Sequence, residues 1–279
     1  MGGHVNRSYF SLISVFLLLC VCTIFFLSSC ATVPLTGRHQ LNIIPNGTML
    51  SMSFQQYDDF LKEHKTITDT EDSRMVKRVG EKIQKGVETY FDQQGLNDLL
   101  SGYNWEFNLV DSPEINAWCM PGGKVVVYTG LLPVAQNEAG LAVVMGHEIA
   151  HAIAKHGNER MSQGLMTQMG GVALAKALEE KPETTRTLWM AAFGLGAQFG
   201  IMLPYSRLHE SEADHLGLIF MAIAGYDPHT AISFWQRMSD QSNGKKPPEL
   251  LSTHPSDSTR IRDIKKHIPE AMTYYTKSR

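Results

Sequence analysis

The stretch His147-Glu148-Ile149-Ala150-His151 decides how the rest of the chain is interpreted. On a helix, positions i and i+4 share a face about 5–6 Å apart, so the two imidazoles can bind one zinc ion. Glu148 is turned away from such an ion but remains close enough to hold a water molecule, whose pKa zinc lowers to about 7. Apolar residues surround the motif, and Gly146 allows a close neighbour. A helix with two satisfied surface histidines is the alternative interpretation.

A catalytic zinc ion needs a third protein ligand and an open fourth position. The motif helix does not supply that ligand in the metzincin manner, because Ala154 and Gly157 stand where a metzincin would carry Gly and His. His156 is instead expected on the surface, at the end of this helix.

The third ligand is expected on a second helix, residues 206–215 with the sequence SRLHESEADH, where spacing alone does not choose among the possible ligands. Glu210 and Asp214 share a helix face, which suits one ligand and one carboxylate behind it. Glu212 lies about 200° around the helix from Glu210, so a straight helix cannot bring both to one metal. A solvated charged face is the alternative for this stretch.

The composition excludes several classes of protein. Hydrophobic residues make up 43% of the 279 residues and charged residues 19%, which is typical of a globular chain of one or two domains and excludes a disordered one. A net charge of -3 gives no electrostatic footprint for nucleic acid, so no nucleic-acid partner is expected.

Residues 1–29 have the features of a lipoprotein signal peptide and are left out of the fold. The apolar run from Leu12 to Leu27 is shorter than the roughly 20 residues that a membrane span needs, and it leads into Leu27-Ser28-Ser29-Cys30, which resembles the bacterial lipobox. Acylation of Cys30 would then anchor the mature chain to a membrane. With Ala31 after the cysteine, the resemblance implies the outer membrane, facing the periplasm. An uncleaved signal anchor is the alternative.

The remainder is interpreted as a linker over residues 30–47 and one mostly helical α+β domain over residues 48–279. Alternating apolar residues predict a strand at 105–110, and a hairpin is expected over 115–128. From about Val134 the periodicity predicts helices nearly to the end of the chain.

Four segments carry a resemblance to a known family: Asn116-Ala117 with Pro121 through Leu132, Glu138 through His151, Ser206 through Asp214, and Thr253-His254-Pro255 with Arg260. In this order, over about residues 111–265, they resemble the gluzincin zinc peptidases that include the HtpX and CaaX prenyl protease groups. The similarity is greatest to their exported lipoprotein branch, which is related to outer-membrane-assembly-enhancing and mitochondrial overlapping-activity peptidases.

The resemblance implies a zincin-like metallopeptidase domain with a small β-sheet, an HExxH helix and one zinc ion per chain. It places the zinc ligands at His147, His151 and Glu210. Glu148 is then the general base and later the acid to the leaving amine. Asp214 falls on the residue that orients a ligand histidine.

Further roles are implied by the same resemblance. His254 falls where an imidazole approaches the zinc, as an inhibitory ligand or a transition-state donor, although a solvent-facing turn residue is the alternative. Arg260 is expected to stabilise the oxyanion, or else to form a structural salt bridge. Asn116 and Ala117, with the strand at 124–128, are expected to form the cleft edge that pairs with an extended substrate. A buried hairpin is the alternative for these residues.

Residues 161–203 are rich in Met, Ala, Gly and Leu. Leu188 to Leu203 is too short and too rich in glycine for a predicted membrane span. Two interpretations remain open: an amphipathic hairpin that covers the cleft, or an internal pair of core helices.

The sequence therefore predicts a membrane-anchored zinc metalloendopeptidase of the cell envelope that acts on misfolded or misassembled envelope proteins. The alternative is an envelope chaperone or assembly factor with a structural zinc site, in which four protein ligands would close the metal site.

Overall fold

A four-stranded sheet lies beside the helix that carries the HExxH motif. The computed structural model describes residues 30–33, 36–241, 250–251, 254 and 258–277. The predicted signal peptide, residues 1–29, lies outside the described residues. The strands are β1 Cys30–Thr32, β2 His39–Leu41, β3 Thr66–Ile67, β4 Glu106–Val110, β5 Ala117–Met120 and β6 Lys124–Tyr128.

The sheet has the order β3-β4-β6-β5, so β6 is internal and β5 forms one edge. β4 and β6 run parallel, whereas β5 pairs antiparallel with β6 in the register Ala117↔Val127. Every residue of β6 is buried, which fits its continuous apolar run of three valines. The expected hairpin is thus confirmed, but β6 does not form the cleft edge. That part of the expectation is wrong, because β6 has a hydrogen-bonded strand on each side.

Helices account for most of the chain. They are α1 Asn46–Glu63, α2 Glu71–Gln93, α3 Leu132–Ala135, α4 Glu138–Ile153, α5 His156–Ala177, α6 Glu183–Ala197, α7 Leu203–Ile223, α8 Thr230–Asp240 and α9 Ser258–Lys277. α2 starts with a reciprocal capping box between Thr70 and Ser73. Its residues at three- and four-residue steps, Val76, Val79 and Ile83, are fully buried in the core.

α4 is nearly all buried and is held between the sheet and α7. α4 and α7 cross in backbone contact, because a Cβ on Gly146 would lie 2.9 Å from the carbonyl oxygen of Gly217. A Cβ on Gly217 would in turn lie 2.9 Å from the backbone nitrogen of His147. The close neighbour that Gly146 was expected to allow is therefore α7.

α5 to α7 present an apolar surface. Met169, Val172 and Leu188 are 59%, 66% and 69% exposed, so the interpretation of residues 161–203 as an internal core pair is wrong. α6 continues through a π-helical turn at Gln198–Met202 into α7. The resulting stretch Glu183–Ile223 is long and apolar enough, by length and composition, to cross a membrane.

Candidate active site

α4 brings the two histidines of the motif together. Asn137 caps the helix by accepting a hydrogen bond from the Gly140 amide at 3.0 Å, which fixes where the helical register begins. Nε2 of His147 and Nε2 of His151 then lie 3.1 Å apart on one face. Both side chains are buried, so the alternative of two surface histidines is wrong.

Glu210 reaches the same point from α7. Its carboxylate oxygens lie 3.4 Å from Nε2 of His147 and 3.4 Å from Nε2 of His151. Burial favours the protonated carboxyl, but hydrogen bonds with His147 and His254 outweigh burial and hold the pKa of Glu210 well below its usual range. Glu210 is therefore a carboxylate in the form that a cation requires.

His254 makes this a group of four. Its Nδ1 lies 2.9 Å from Glu210 and 3.2 Å from Nε2 of His147, and its side chain is buried. The solvent-facing alternative for His254 is therefore wrong. His147, His151, Glu210 and His254 together form a group that could hold one metal ion.

Asp214 and Arg260 stand behind this group. Oδ1 of Asp214 lies 2.9 Å from Nδ1 of His147, on the side of the ring away from Glu210. Arg260 donates two hydrogen bonds to Asp214, at 2.7 and 2.8 Å, and stacks on Trp235 with its guanidinium 3.4 Å from the ring centroid. The salt-bridge alternative for Arg260 is thus observed, and its oxyanion role stays a prediction.

Glu148 lies beside the group of four without belonging to it. Its Oε1 is 3.6 Å from Nε2 of His254 and has no hydrogen-bond partner within the described part of the chain. Burial raises the pKa of Glu148, although the charges of His254 and His147 oppose the shift. A buried carboxylate with a raised pKa is suited to accept a proton and later return it.

Comparison with known proteins is consistent with this geometry. The model of the family described as "Peptidase family M48" matches residues 78–268, which is more than half of the chain. The chain belongs to peptidase family M48.

Curated relatives support this assignment. The mitochondrial metalloendopeptidase OMA1 of Schizosaccharomyces pombe is 31% identical over 260 residues, which cover 89% of this chain and 69% of that protein. OMA1 of Bos taurus is 33% identical, with 89% of this chain and 48% of that protein covered. The beta-barrel assembly-enhancing protease of Escherichia coli is 29% identical over 181 residues, covering 58% of this chain and 34% of that protein. The chain therefore spans from about one third to about two thirds of the length of these three relatives.

Membership of M48 makes the chain a zinc metalloendopeptidase with a zincin-like fold. The residues present fit the metal. Nδ1 of His147 faces the Asp214 carboxylate and so keeps a proton, which leaves Nε2 of that ring as the nitrogen that can bind a metal in place of its second proton. Nε2 of His147 and Nε2 of His151 lie 3.1 Å apart beside the Glu210 carboxylate. Two imidazole nitrogens with a carboxylate oxygen are a ligand set that suits zinc.

His156 was expected on the surface, and this is wrong. It is fully buried, and its Nδ1 lies 2.8 Å from Nδ1 of His151. Lys155 has a left-handed backbone with φ of 56°, so the chain reverses after α4 and α5 folds His156 back onto the motif. Hydrophobic periodicity does not encode this reversal.

Glu212 turns away from the metal group, as its position in the helix predicts, yet it is buried and not solvated. Its Oε2 lies 2.9 Å from Nε2 of His156, and Arg38 from the predicted linker pairs with it at 2.8 Å. Burial would raise the pKa of Glu212, but the hydrogen bonds from His156, Arg38 and Thr36 lower it to about 2.

Asn116 and Ala117 lie at the β5 edge of the sheet, where the described residues place no further strand, although the Leu250 amide donates to the neighbouring Ile115 carbonyl at 3.2 Å. Ala117 is the first residue of β5, and β5 packs against α4. The Tyr128 amide donates to the Asn116 carbonyl at 3.1 Å, so residue 116 forms a hydrogen-bonded pair with residue 128. Because such pairs alternate along an antiparallel ladder, the backbone groups of Ala117 and Cys119 face away from β6.

Proposed function

We propose that this zinc metalloendopeptidase is anchored to a membrane of the cell envelope and cleaves misfolded or misassembled envelope proteins. The observation that carries the proposal is the edge strand β5, which has no strand on its outer side in the described part of the chain and lies beside the helix of the metal group. An edge strand binds an extended chain through its backbone and depends little on side-chain sequence. A protease that takes unfolded segments needs this kind of recognition.

In the proposed mechanism, Glu148 is the central residue. His147, His151 and Glu210 would hold the zinc ion, which supplies Lewis acidity to a water molecule and to the scissile carbonyl. Glu148 takes the proton of that water and then gives it to the leaving amine. Burial raises the pKa of Glu148 above that of an ordinary carboxyl, which helps it to hold the proton between the two steps.

The substrate would lie along β5. Ala117 and Cys119 direct their backbone groups to its outer side, and a peptide added there would pass the metal group as an extended strand. The Asn116 side chain already accepts a hydrogen bond from the Ala117 amide at 2.9 Å. The Asn116 side chain would therefore occupy the hydrogen-bonding position on the Ala117 amide that a substrate carbonyl takes when the peptide binds.

The pairing of β1 with β2 and an apolar groove beside β2 support the membrane anchor. The backbone of Cys30 begins β1, and its partner in β2 is Leu41. Leu41 lines an apolar groove together with Phe193 of α6 and Ile201, within the exposed apolar surface of α5 to α7. The predicted acylation site thus begins the described chain next to that surface. Because α7 also holds Glu210 in the metal group, the surface would lie on the membrane and not cross it.

One observation favours the second candidate, an assembly factor with a structural zinc. His254 is close enough to Glu210 and His147 to close the site as a fourth protein ligand. A structural site is closed in this way, whereas a catalytic site keeps one position open. The two candidates differ in whether Glu148 does chemistry.

The test compares wild type with Glu148→Gln on an unfolded protein substrate, with zinc content measured in both. We expect Glu148→Gln to retain zinc, since Glu148 is outside the group of four, and to lose cleavage by about 10²–10⁴-fold. Glu138→Gln is the matched control, because Glu138 is on the same helix but pairs with Arg78. Equal cleavage by wild type and Glu148→Gln overturns the mechanism.

The anchor has its own test. Cys30→Ser is expected to release the body from membranes or to leave an unprocessed precursor, because the thiol is the predicted site of acylation. Labelling of cells with a clickable fatty acid measures this directly, with Cys119→Ser as the control. If Cys30→Ser is still labelled, Cys30 is not the acylation site. If the wild type is not labelled, the lipid anchor is wrong and the uncleaved signal anchor is the remaining interpretation.

A further inference from the structure

The two histidines of the motif are each supported through their second ring nitrogen. On His147, Nδ1 lies 2.9 Å from the Asp214 carboxylate. On His151, Nδ1 lies 2.8 Å from Nδ1 of His156, and the rings meet edge to face at 74°. Nδ1 of His151 therefore contacts an imidazole, where Nδ1 of His147 contacts a carboxylate.

The proton positions along this chain follow from what the last member can accept. Glu212 is a carboxylate and accepts, so Nε2 of His156 donates to it at 2.9 Å. A neutral His156 with its proton on Nε2 has a lone pair on Nδ1. Nδ1 of His151 then donates to that lone pair, which leaves Nε2 of His151 with its own lone pair directed at the metal group. Each hydrogen bond thus selects the tautomer that zinc binding needs.

The chain of contacts ends in the segment that follows the predicted anchor. Arg38 donates to Glu212 through Nε at 2.9 Å, and the Thr36 hydroxyl also donates to Glu212. A carboxylate that accepts from a guanidinium and a hydroxyl has no proton of its own to donate, so it can only accept from His156. Residues 36–38 therefore reach the metal group through two side chains.

We propose that His156 and Glu212 are positioning residues that fix the ring and tautomer of His151, and that Arg38 and Thr36 complete this support. The proposal rests on His151 being a zinc ligand, as in the proposed function. Partners of this kind behind a metal ligand commonly change metal affinity by about 10–100-fold. The segment after the anchor is thereby a structural part of the metal centre.

The same cluster contains a second buried Glu–His pair that makes no hydrogen bond to His151 or His156 among the described residues, although the His209 ring stacks on the His156 ring with centroids 4.3 Å apart. Glu159 is as buried as Glu212, accepts from Arg38 at 2.8 Å, and lies 2.9 Å from Nε2 of His209. Glu159→Gln therefore removes the same charge from the same arginine. It leaves His156 and its bond to His151 in place, so it measures what the cluster contributes to folding alone.

The experiment measures zinc affinity by competition with a chromophoric chelator, and stability by thermal unfolding, in three variants: His156→Leu, Glu212→Gln and Glu159→Gln. We expect His156→Leu and Glu212→Gln to lower zinc affinity by about 10–100-fold. Glu159→Gln should keep the wild-type zinc affinity even if its unfolding temperature falls as far as that of Glu212→Gln. Equal affinity in all three, or an equal loss in Glu159→Gln and Glu212→Gln, overturns the proposal.

Thr36→Val provides a milder variant should His156→Leu fail to fold, since it removes one hydroxyl at a partly buried position. It should lower zinc affinity in the same direction by a smaller factor. The visible spectrum of the cobalt-substituted protein gives a second measurement, because it reports the ligand field without requiring cleavage. A spectrum shifted in Glu212→Gln and unchanged in Glu159→Gln supports the proposal, and one unchanged in both overturns it. Failure of the proposed function would appear separately, as cleavage by Glu148→Gln with zinc affinities still ordered as above.

Discussion

At the scale of single residues, the acids of α7 predict a severe loss of zinc for Glu210 and smaller losses for Asp214 and Glu212. Glu210 is in the metal group, Asp214 contacts His147, and Glu212 is two hydrogen bonds away from the metal group through His156. We expect Glu210→Gln to lose most of its zinc and all cleavage, because a carboxylate ligand becomes a neutral amide. Asp214→Asn should lower zinc affinity by about 10–100-fold. Zinc titration and peptide cleavage measure the order.

The position of Glu212 in this order changes from what the helix alone predicts. A side chain on the opposite side of the helix would leave zinc binding unaffected, yet the contact through His156 makes Glu212→Gln weaken it. If Glu212→Gln lost its zinc while Glu210→Gln kept it, both the proposed ligand set and the expected order of zinc loss would be contradicted. The i, i+4 spacing places Glu210 and Asp214 on one face and the family resemblance assigns their roles, whereas the partner of Glu212 comes from another helix and neither source predicts it.

At the scale of helices, the site depends on the crossing of α4 and α7. Gly217→Ala is expected to force the two backbones apart, because the new Cβ would lie 2.9–3.0 Å from backbone atoms of Gly146 and His147 that cannot move independently. The cost of such overpacking is about 1–3 kcal/mol, and the shift would carry Glu210 away from the histidines. The free energy of unfolding, measured by chemical denaturation, and the zinc affinity should both fall.

Gly194→Ala provides the control for this crossing. It is also a helical glycine, but nothing lies within 4 Å of an added Cβ. Alanine there should leave zinc affinity unchanged and stabilise the helix by about 0.5–1 kcal/mol. If Gly217→Ala behaved in the same way, close approach at the crossing would not be what positions Glu210.

The elements themselves follow largely from the sequence, and the exceptions have physical causes. Period 3.6 predicts α2 and the helices after residue 134, and alternation predicts β4. The order of the strands is set by tertiary pairing, which is why β6 was expected at an edge and is internal. The burial of His156 depends on a left-handed residue, Lys155, which carries no glycine or asparagine signal.

At the scale of the whole molecule, the buried network makes stability depend on pH in a way that zinc should change. Burial lowers the pKa of His156 to about 4. For His147, burial acts in the same direction, but hydrogen bonds to Asp214 and Glu210 outweigh it and raise the pKa to about 9. The unfolded values of both are near 6.5. His156 therefore affects stability below about pH 6.5, and His147 affects it above that pH.

Zinc-free protein should be most stable near pH 6.5. As pH falls from about 6.5 to 4, the unfolded chain binds a proton at His156 that the folded chain does not, so stability falls by up to about 1.4 kcal/mol per pH unit for that proton. As pH rises from about 6.5 to 9, the folded chain keeps a proton at His147 that the unfolded chain has lost. Stability gained from this proton is fully present below 6.5 and lost as pH approaches 9.

Zinc should affect only the loss of stability on the alkaline side (the alkaline limb) and not that part of the acid-side loss (the acid limb) which His156 causes. The ion replaces the second proton of His147 and leaves His156 unchanged. Guanidinium unfolding across pH 4 to 9, with and without chelator, should therefore show an alkaline decline in the zinc-free protein alone. With zinc bound, His156→Gln should make the loss of stability between pH 6.5 and 4 smaller, since one group that takes up a proton on unfolding is gone. Without zinc a decline remains in this variant, because burial also lowers the pKa of His151. Asp214→Asn should flatten the alkaline limb, because His147 loses the first of its two charged partners. An alkaline decline that persists with saturating zinc would show that the ion does not bind His147.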